Sequence, residues 1–555
     1  MLKKSWHEKV AYQIYPKSFY DTNADGVGDL PGIISKLDYL KELGVDIVWI
    51  SPIYRSPFVD QGYDISDYYS IDPIFGSMED MEHLIAEAKK RNIAILMDLV
   101  VNHCSDKHEW FQKAMKDPKG EYGDFFYIRE GKGDKPPCNW RSYFGGSAWE
   151  KISGTNLYYL HSFAKEQPDL NWENPRVKEE VYKMMNWWLD KGLAGFRVDA
   201  IINIKKDTRF LDYPADRPDG TSSITNMLEK TTGVKEMLME LKRETFDKHN
   251  AFSIGELFNF KKEELASYIG ENGCFSSIFN FDLHLLGRND AGWCKFKSFT
   301  PNELRETLYN SQKEFQDIGF MANVIENHDE PRGASNFLPE KDCNETSKKM
   351  LAAIFMMMKG LPFIYQGQEL GMTNSVFHSI DDFNDISTKD EYKVALANGY
   401  SEAEALAIVS KYSRDNARTP FQWSNGKNAG FSEGSPWFAV NPNYKEINAE
   451  NQISDPNSVL SFYKQLICLR KTEEYKEAVV YGEFEPCMEQ YKNLIAFYRK
   501  GENKKLLLIA NYQNSAQKIF YGSEIPKILL NNYESLDAEG SSMLLKPYQV
   551  VILDA

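Results

Sequence analysis

Eight short apolar runs recur along the 555-residue chain with amphipathic stretches between them, and no other feature constrains the fold as strongly. They are VAYQIY (10–15), VDIVWI (45–50), IAILMDLVV (93–101), GFRVDAI (195–201), FSIGEL (252–257), IFNFD (278–282), MANVIEN (321–327) and LPFIYQG (361–367). Each is strand-sized, and segments such as MEHLIAEAKKRN and TSKKMLAAIFMMMKG that follow them carry helical spacing. Buried parallel strands need a crossover between neighbours, usually a helix. Eight such units predict an α/β fold closed into a (β/α)8, or TIM, barrel, because a doubly wound sheet rarely uses so many.

Between the third and fourth runs lie about 90 residues, far more than a loop and a helix require. This stretch is rich in Gly, Tyr, Trp and Pro (GKGDKPPCNWRSYFGGSAWE) and reads as an inserted subdomain over 104–172, which leaves the barrel to 1–103 and 173–480. A second insertion, 373–417, follows the eighth run and has a helical pattern. Both insertions start where strands end, the face on which barrel enzymes build their pockets. Beyond about residue 480 the runs become short and alternating (NLIAFYRK, KLLLIANYQ, SSMLLKPYQVVILDA), predicting a C-terminal antiparallel β-domain over 481–555.

Charge excludes partners. With 65 Lys and Arg against 81 Asp and Glu the chain carries a net −16, so it repels nucleic acid and anionic membrane surfaces while remaining compatible with a neutral sugar. Cys104, Cys138, Cys274, Cys294, Cys343, Cys468 and Cys487 form an odd set without CxxC spacing, which fits reduced thiols rather than a disulfide framework or a zinc site. The start, MLKKSWHEKVAYQIY, lacks the apolar core of a secretory signal, and no run reaches the roughly 18 apolar residues of a membrane helix. The expectation is a cytoplasmic monomer.

A barrel aims the residues at the carboxyl ends of its strands into one mouth. Here those residues are Asp98, Asn102 and His103 at the end of the third run, Arg197 and Asp199 at the fourth, Glu256 at the fifth, and His328 and Asp329 at the seventh. A single Asp in such a place is as readily a helix cap. Four carboxylates, two histidines and an arginine together are costly to bury for structure alone. Glycoside hydrolysis requires two carboxylates, about 5–5.5 Å apart when configuration is retained, and adjacent strands supply that spacing. Arg197 shares a strand face with Asp199 and is expected to hold it ionised, whereas Glu256 has no cationic neighbour in sequence and is expected to stay protonated.

Two further features stand out. DTNADGVGD presents Asp21, Asn23, Asp25 and Asp29 among glycines, with the Val27 carbonyl as a fifth oxygen, a spacing close to the opening of an EF-hand loop without its terminal Glu. The plain alternative is an Asp/Asn/Gly turn. The aromatic residues of the inserted region (Tyr143, Phe144, Trp149, Phe163, Trp172) can stack on sugar or, more commonly, fill the subdomain core; Phe144 and Phe163 are expected to line the pocket.

The segments DLVVNH (98–103), GFRVDA (195–200), GE (255–256), ENHDEPR (326–332), QPDLNW (167–172), YQGQELGM (365–372) and RDNARTPFQW (414–423) occur in order across the chain. Through them the sequence resembles the α-amylase family of glycoside hydrolases, in particular its oligo-1,6-glucosidase and α-glucosidase subfamily. The resemblance implies an exo-acting, retaining α-glucosidase that releases terminal glucose from short oligosaccharides or disaccharides. Asp199 would be the nucleophile, Glu256 the acid/base and Asp329 the third carboxylate. Asp60, Tyr63, His103, Arg197, His328 and Arg418 would surround the terminal glucose, the assignments of Asp60 and Arg418 resting mainly on the resemblance. Similar loops in the subfamily bind calcium or magnesium, which implies a structural Ca2+, or Mg2+, at Asp21, Asn23, Asp25, Val27 and Asp29.

Linkage preference hangs on the residue after the nucleophile. It is Ala200 here, where the oligo-1,6-glucosidases that this chain resembles usually carry Val, and the smaller side chain tilts the expectation to α-1,4 (maltose-type) substrates with α-1,6 also accepted. Oligo-1,6-glucosidase, transglucosylase and sucrose isomerase activities are the alternatives. A phosphate-binding basic cluster, as a trehalose-6-phosphate hydrolase would need, is not visible, nor is the RLDRD signature of sucrose isomerases. Transporter heavy chains share the barrel but need a membrane span and have lost the catalytic carboxylates.

Overall fold

The structure, a computed structural model, describes residues 3–258, 260–289, 291–522 and 524–555. Its centre is a closed ring of eight parallel strands: β1 (Ala11–Ile14), β2 (Ile47–Ile50), β3 (Ala94–Leu99), β4 (Gly195–Val198), β5 (Phe252–Gly255), β6 (Ser277–Asn280), β7 (Ala322–Asn323) and β8 (Leu361–Tyr365). β1 closes the ring by pairing with β2 (Ala11 opposite Ile47) and with β8 (Ala11 opposite Phe363). All eight strands fall on the eight apolar runs, β6 starting one residue ahead of its run. Ala11, Trp49, Leu96, Ile254, Phe279 and Phe363 pack the barrel interior, and a larger core joins the outer strand faces to the surrounding helices. Gly195 opens β4 with φ +156°, and a Cβ there would stand 1.7 Å from the Phe252 carbonyl oxygen, so only glycine lets β4 and β5 approach.

The inserted region contains a helix (Glu109–Lys116) and an antiparallel sheet of Ile128–Glu130, Leu157–Leu160 and Trp149–Lys151. The segment after β4 adds to it: Ser222–Ser223 pairs with Trp140–Arg141, and Phe210, Ile224 and Met227 share its core with Trp140, Trp149 and Tyr158. The second insertion is a hairpin of two helices, Ile386–Ala397 and Glu402–Tyr412.

The C-terminal part is two antiparallel sheets, one of five strands and one of three. The Tyr309 hydroxyl, on a barrel helix, donates to the Ala496 carbonyl (2.7 Å) and accepts from the Ala496 amide (2.8 Å). Arg499 is fully buried and donates to the carbonyls of Met357 (2.8 Å) and Gly482 (2.9 Å). All seven cysteines are unpaired, and among the described residues no helix is long and apolar enough to cross a membrane.

Candidate active site

β4 places Arg197 directly opposite Asp98 of β3 in register, and both side chains are sealed from solvent. The guanidinium then organises three carboxyl groups. Its Nη1 donates to Asp98 Oδ1 (2.7 Å) and to Asp199 Oδ1 (2.6 Å), and its Nη2 lies 2.5 Å from Glu256 Oε1. The second oxygen of Glu256 accepts the amide of Ala200 at 3.0 Å. Ala200 has φ +41°, a left-handed conformation uncommon for a residue with a side chain, at the turn between Asp199 and the loop that follows.

The charge division expected from the sequence needs correction. Arg197 touches Glu256 as closely as it touches Asp199, because in the closed ring β5 lies beside β4, a neighbour invisible in linear order. Arg197 also fails to hold Asp199 at an ordinary carboxylate value: burial pushes Asp199 well up, with repulsion from Glu256, Asp98 and Asp329 adding to it. Burial likewise raises Glu256, and Asp329 repels its charge. With one cation between two such buried carboxyls, both raised, the pair titrates as a unit.

Asp329 is the exception. Burial pushes its pKa up, but His328, Arg414, Arg418 and Arg197 outweigh burial and hold it well below the usual range. Its Oδ1 accepts from Arg414 Nη1 (2.9 Å) and Arg418 Nη2 (3.0 Å), and its Oδ2 is 3.0 Å from His328 Nε2. Burial drives the His328 imidazole down to about 3, so the ring is neutral. With Gln13 Nε2 at 2.8 Å from Nδ1, the ring proton sits on Nε2, between Asp329 and the Tyr63 hydroxyl, which lies 2.5 Å away. Tyr63 stacks on His328 at 5.3 Å and donates to Asp98 Oδ2 (2.8 Å).

Of the other expected residues, Asp60 accepts from Gln167 Nε2 (3.1 Å) and faces Arg414 Nη2 at 3.6 Å. His103 packs against Phe163 at 5.1 Å between ring centres. Phe144 lines a cavity of about 160 Å³ with Trp293, Asp329, Tyr412 and Arg414, and the Arg414 guanidinium lies 5.4 Å from its ring centre. Trp149 and Trp172 are core, Trp172 donating to the Val101 carbonyl at 2.7 Å.

The sequence reading missed Arg414 and Asp385. Arg414 lies four residues before Arg418, so both project from one turn, and Asp385 caps the first helix of the 373–417 insertion while accepting from Arg414 Nη2 (2.6 Å). The i,i+4 arginine pair in RDNAR was the available signal; nothing in the sequence pointed to Asp385. Six carboxyls (Asp60, Asp98, Asp199, Glu256, Asp329, Asp385) thus meet three guanidiniums, a balance suited to stabilising a developing positive charge.

In the DTNADGVGD loop the Asp21 carboxylate accepts the amides of Asn23 (3.0 Å), Ala24 (2.9 Å) and Gly26 (2.8 Å), and Asp25 Oδ1 accepts that of Val27 (2.8 Å). Asp29 caps the helix Leu30–Ser35 through Gly32 N. The donor set, three carboxylates with an amide and a carbonyl oxygen, is one that hard cations prefer. Among the described residues no group of three or more His, Cys, Asp or Glu side chains stands at metal-holding spacing.

A family model described as "Alpha amylase, catalytic domain" matches residues 13–482. The chain is 43% identical to "Probable oligo-1,6-glucosidase 3" of Bacillus subtilis (strain 168), over 100% of this chain and 99% of that protein. It is 42% identical to "Oligo-1,6-glucosidase" of Parageobacillus thermoglucosidasius over 98% of each. Among solved structures it is similar to the isomaltulose synthase of Klebsiella sp. LX3, with a TM-score of 0.94 and 38% identity over 100% of both chains. With its barrel, its paired carboxyls and these full-length relatives in agreement, the chain belongs to the α-amylase family and is a glycoside hydrolase.

Proposed function

We propose that this chain is an exo-acting, retaining α-glucosidase that removes terminal glucose from short α-glucosides, α-1,4 linkages before α-1,6. The observation that carries the reading is the single buried Arg197 spanning the Asp199 and Glu256 carboxyls while Asp329 is held on a separate arginine pair. In the first step Glu256 gives its proton to the glycosidic oxygen, the bond from that oxygen to C1 breaks, and a carboxylate oxygen of Asp199 forms the new bond to C1. In the second, Glu256, now ionised, takes a proton from water as its oxygen attacks C1, and Asp199 leaves as carboxylate. The raised pKa of Glu256 keeps the acid form available towards neutral pH, and ionised Asp329 faces the oxocarbenium-like transition state. Asp60, Tyr63, His103, Arg197, His328 and Arg418 hold the terminal glucose, with Phe144 and Phe163 as apolar walls.

The names of the relatives favour a second reading, α-1,6 cleavage as the main activity. Against it stands Ala200, whose methyl group leaves more room beside the nucleophile than a branched side chain would. Glucose release from maltose and isomaltose, measured side by side with Asp199→Ala as control, decides the matter. Faster maltose cleavage is expected, with a loss on the order of 10⁴-fold or more in the variant. Faster isomaltose cleavage establishes the second reading, and an active Asp199→Ala enzyme overturns the mechanism.

We also propose that Asp21, Asn23, Asp25, Asp29 and the Val27 carbonyl hold a structural Ca2+, with Mg2+ the alternative. The ion would brace the loop without entering the reaction. The unpaired cysteines support a reducing compartment, the cytoplasm.

A further inference from the structure

Seven residues beyond the Asp199 carboxyl, Lys206 is buried with its ammonium group fully sealed from solvent. The reaction described above gives it no task. Its partners come from three separate segments: Asp169 Oδ2 (2.7 Å) and Ser162 Oγ (3.3 Å) in the inserted region, Asn102 Oδ1 (2.8 Å) after β3, and the carbonyl of Asn203 after β4. A buried ion pair of this kind gives little net stability, since desolvation offsets most of the attraction, which leaves orienting its neighbours as its use.

The hydrogen-bond inventory supplies one. An ammonium group only donates and a carboxylate only accepts. The Asn102 side-chain amide lies between them, with Oδ1 toward Lys206 Nζ and Nδ2 toward Asp169 Oδ1 at 3.2 Å. Its orientation is therefore dictated by charge, not chosen between near-equal alternatives. The same Nδ2 stands 3.2 Å from His103 Nδ1. A ring nitrogen facing an N–H must accept, so in the neutral imidazole the proton is left to Nε2. That nitrogen faces both the Tyr63 carbonyl (3.1 Å) and the Gln167 side-chain amide nitrogen (3.1 Å); because Nδ1 faces only a donor, the proton goes to Nε2 and is donated to Tyr63, while the Gln167 amide turns its own N–H to Asp60 Oδ2 (3.1 Å). Burial lowers the His103 pKa, which keeps the ring neutral and makes the tautomer a real choice.

We propose that Lys206 is a positioning residue: through Asn102 it selects the Nε2–H tautomer of His103, which pins the Tyr63 backbone and so the loop that carries Asp60 and Tyr63. That this loop grips the terminal glucose rests on the function proposed above; the relay from Lys206 to His103 does not. The loop has a use for the restraint. Gln61 adopts φ +51° and Phe58 φ +61°, conformations that side-chain-bearing residues hold only when their surroundings oblige them.

The test reads the tautomer directly. Uniform ¹⁵N-histidine labelling gives nine imidazoles, and the spectrum of His103→Gln identifies the signals of His103. In the wild type, Nε2 of His103 is expected to carry the proton and Nδ1 to be bare. Lys206→Met alone leaves Asp169 buried without its cation and risks the fold, so the working variant is Lys206→Met with Asp169→Asn, which removes both charges. There the fixed tautomer is expected to give way to a mixture, and KM for maltose to rise about 10-fold with kcat within about 3-fold, the pattern of lost binding rather than lost chemistry. Asn102→Asp offers only acceptors to the ring and is expected to put a proton on Nδ1. A protonated Nδ1 in the wild type, or a His103 spectrum unmoved in both variants, overturns the relay whatever happens to KM. A moved tautomer with unchanged KM upholds the relay and counts against Asp60 and Tyr63 as glucose contacts.

Discussion

Arg197 acts on three carboxyls at once, two of them the reacting pair. By touching Asp199 and Glu256 together it offsets some of the cost of burying both, yet one cation cannot neutralise two carboxylates, and the coupled titration that results suits a site needing both an acid and a nucleophile. Arg414 has a comparable share in Asp329, on which it and Arg418 converge, while Asp385 fixes its guanidinium from the far side. Arg414→Lys keeps the charge but loses the fork that spans both carboxylates. Steady-state kinetics on maltose are predicted to show a fall in kcat/KM on the order of 10–100-fold, or about 1.4–2.8 kcal/mol; activity within 2-fold of wild type would remove Arg414 from the site. At this scale the sequence was legible where a residue sits at a strand end or inside a matching block, as Asp199, Glu256 and His328 do. It was illegible where the partner arrives from another segment. Nothing about Glu256 in linear order reveals Arg197, and nothing about Asp385 reveals Arg414.

The strands of the barrel could be read because each lies in a mostly apolar run bounded by polar residues, a pattern that does not depend on its neighbours; even the two-residue β7 sits inside the run MANVIEN. The segment around Ser222–Ser223 could not, since no apolar run surrounds it and its core residues Phe210, Ile224 and Met227 are too scattered to form one. The DTNADGVGD loop belongs to this scale too. It packs tightly, with Gly26 at φ +90° and room for no Cβ against the Ser435 carbonyl oxygen, so an ion that stiffened it would be felt in the fold. With an ion bound only to the native state, EDTA dialysis is expected to lower Tm by about 4 °C or more, with recovery on adding Ca2+. An unchanged Tm in EDTA, with no metal released from the native enzyme by elemental analysis, would count against the ion.

Over the whole molecule the barrel and the C-terminal sheets share one apolar core, in which Leu506, Leu508 and Ile552 of the sheets join Leu308, Met350 and Phe355 of the barrel helices. Arg499 and Tyr309 stitch the same boundary through backbone carbonyls, so the C-terminal part serves as a brace for the barrel helices. The site lies elsewhere, at the carboxyl ends of the strands, walled by the two insertions. Its central claim is a double displacement at Asp199 with Glu256 as acid and then base, and that claim has a stereochemical signature. Proton NMR of the glucose released in the first minutes from an α-glucoside, before mutarotation, is predicted to show the α anomer first; initial release of the β anomer would mean a single displacement by water and would contradict the account.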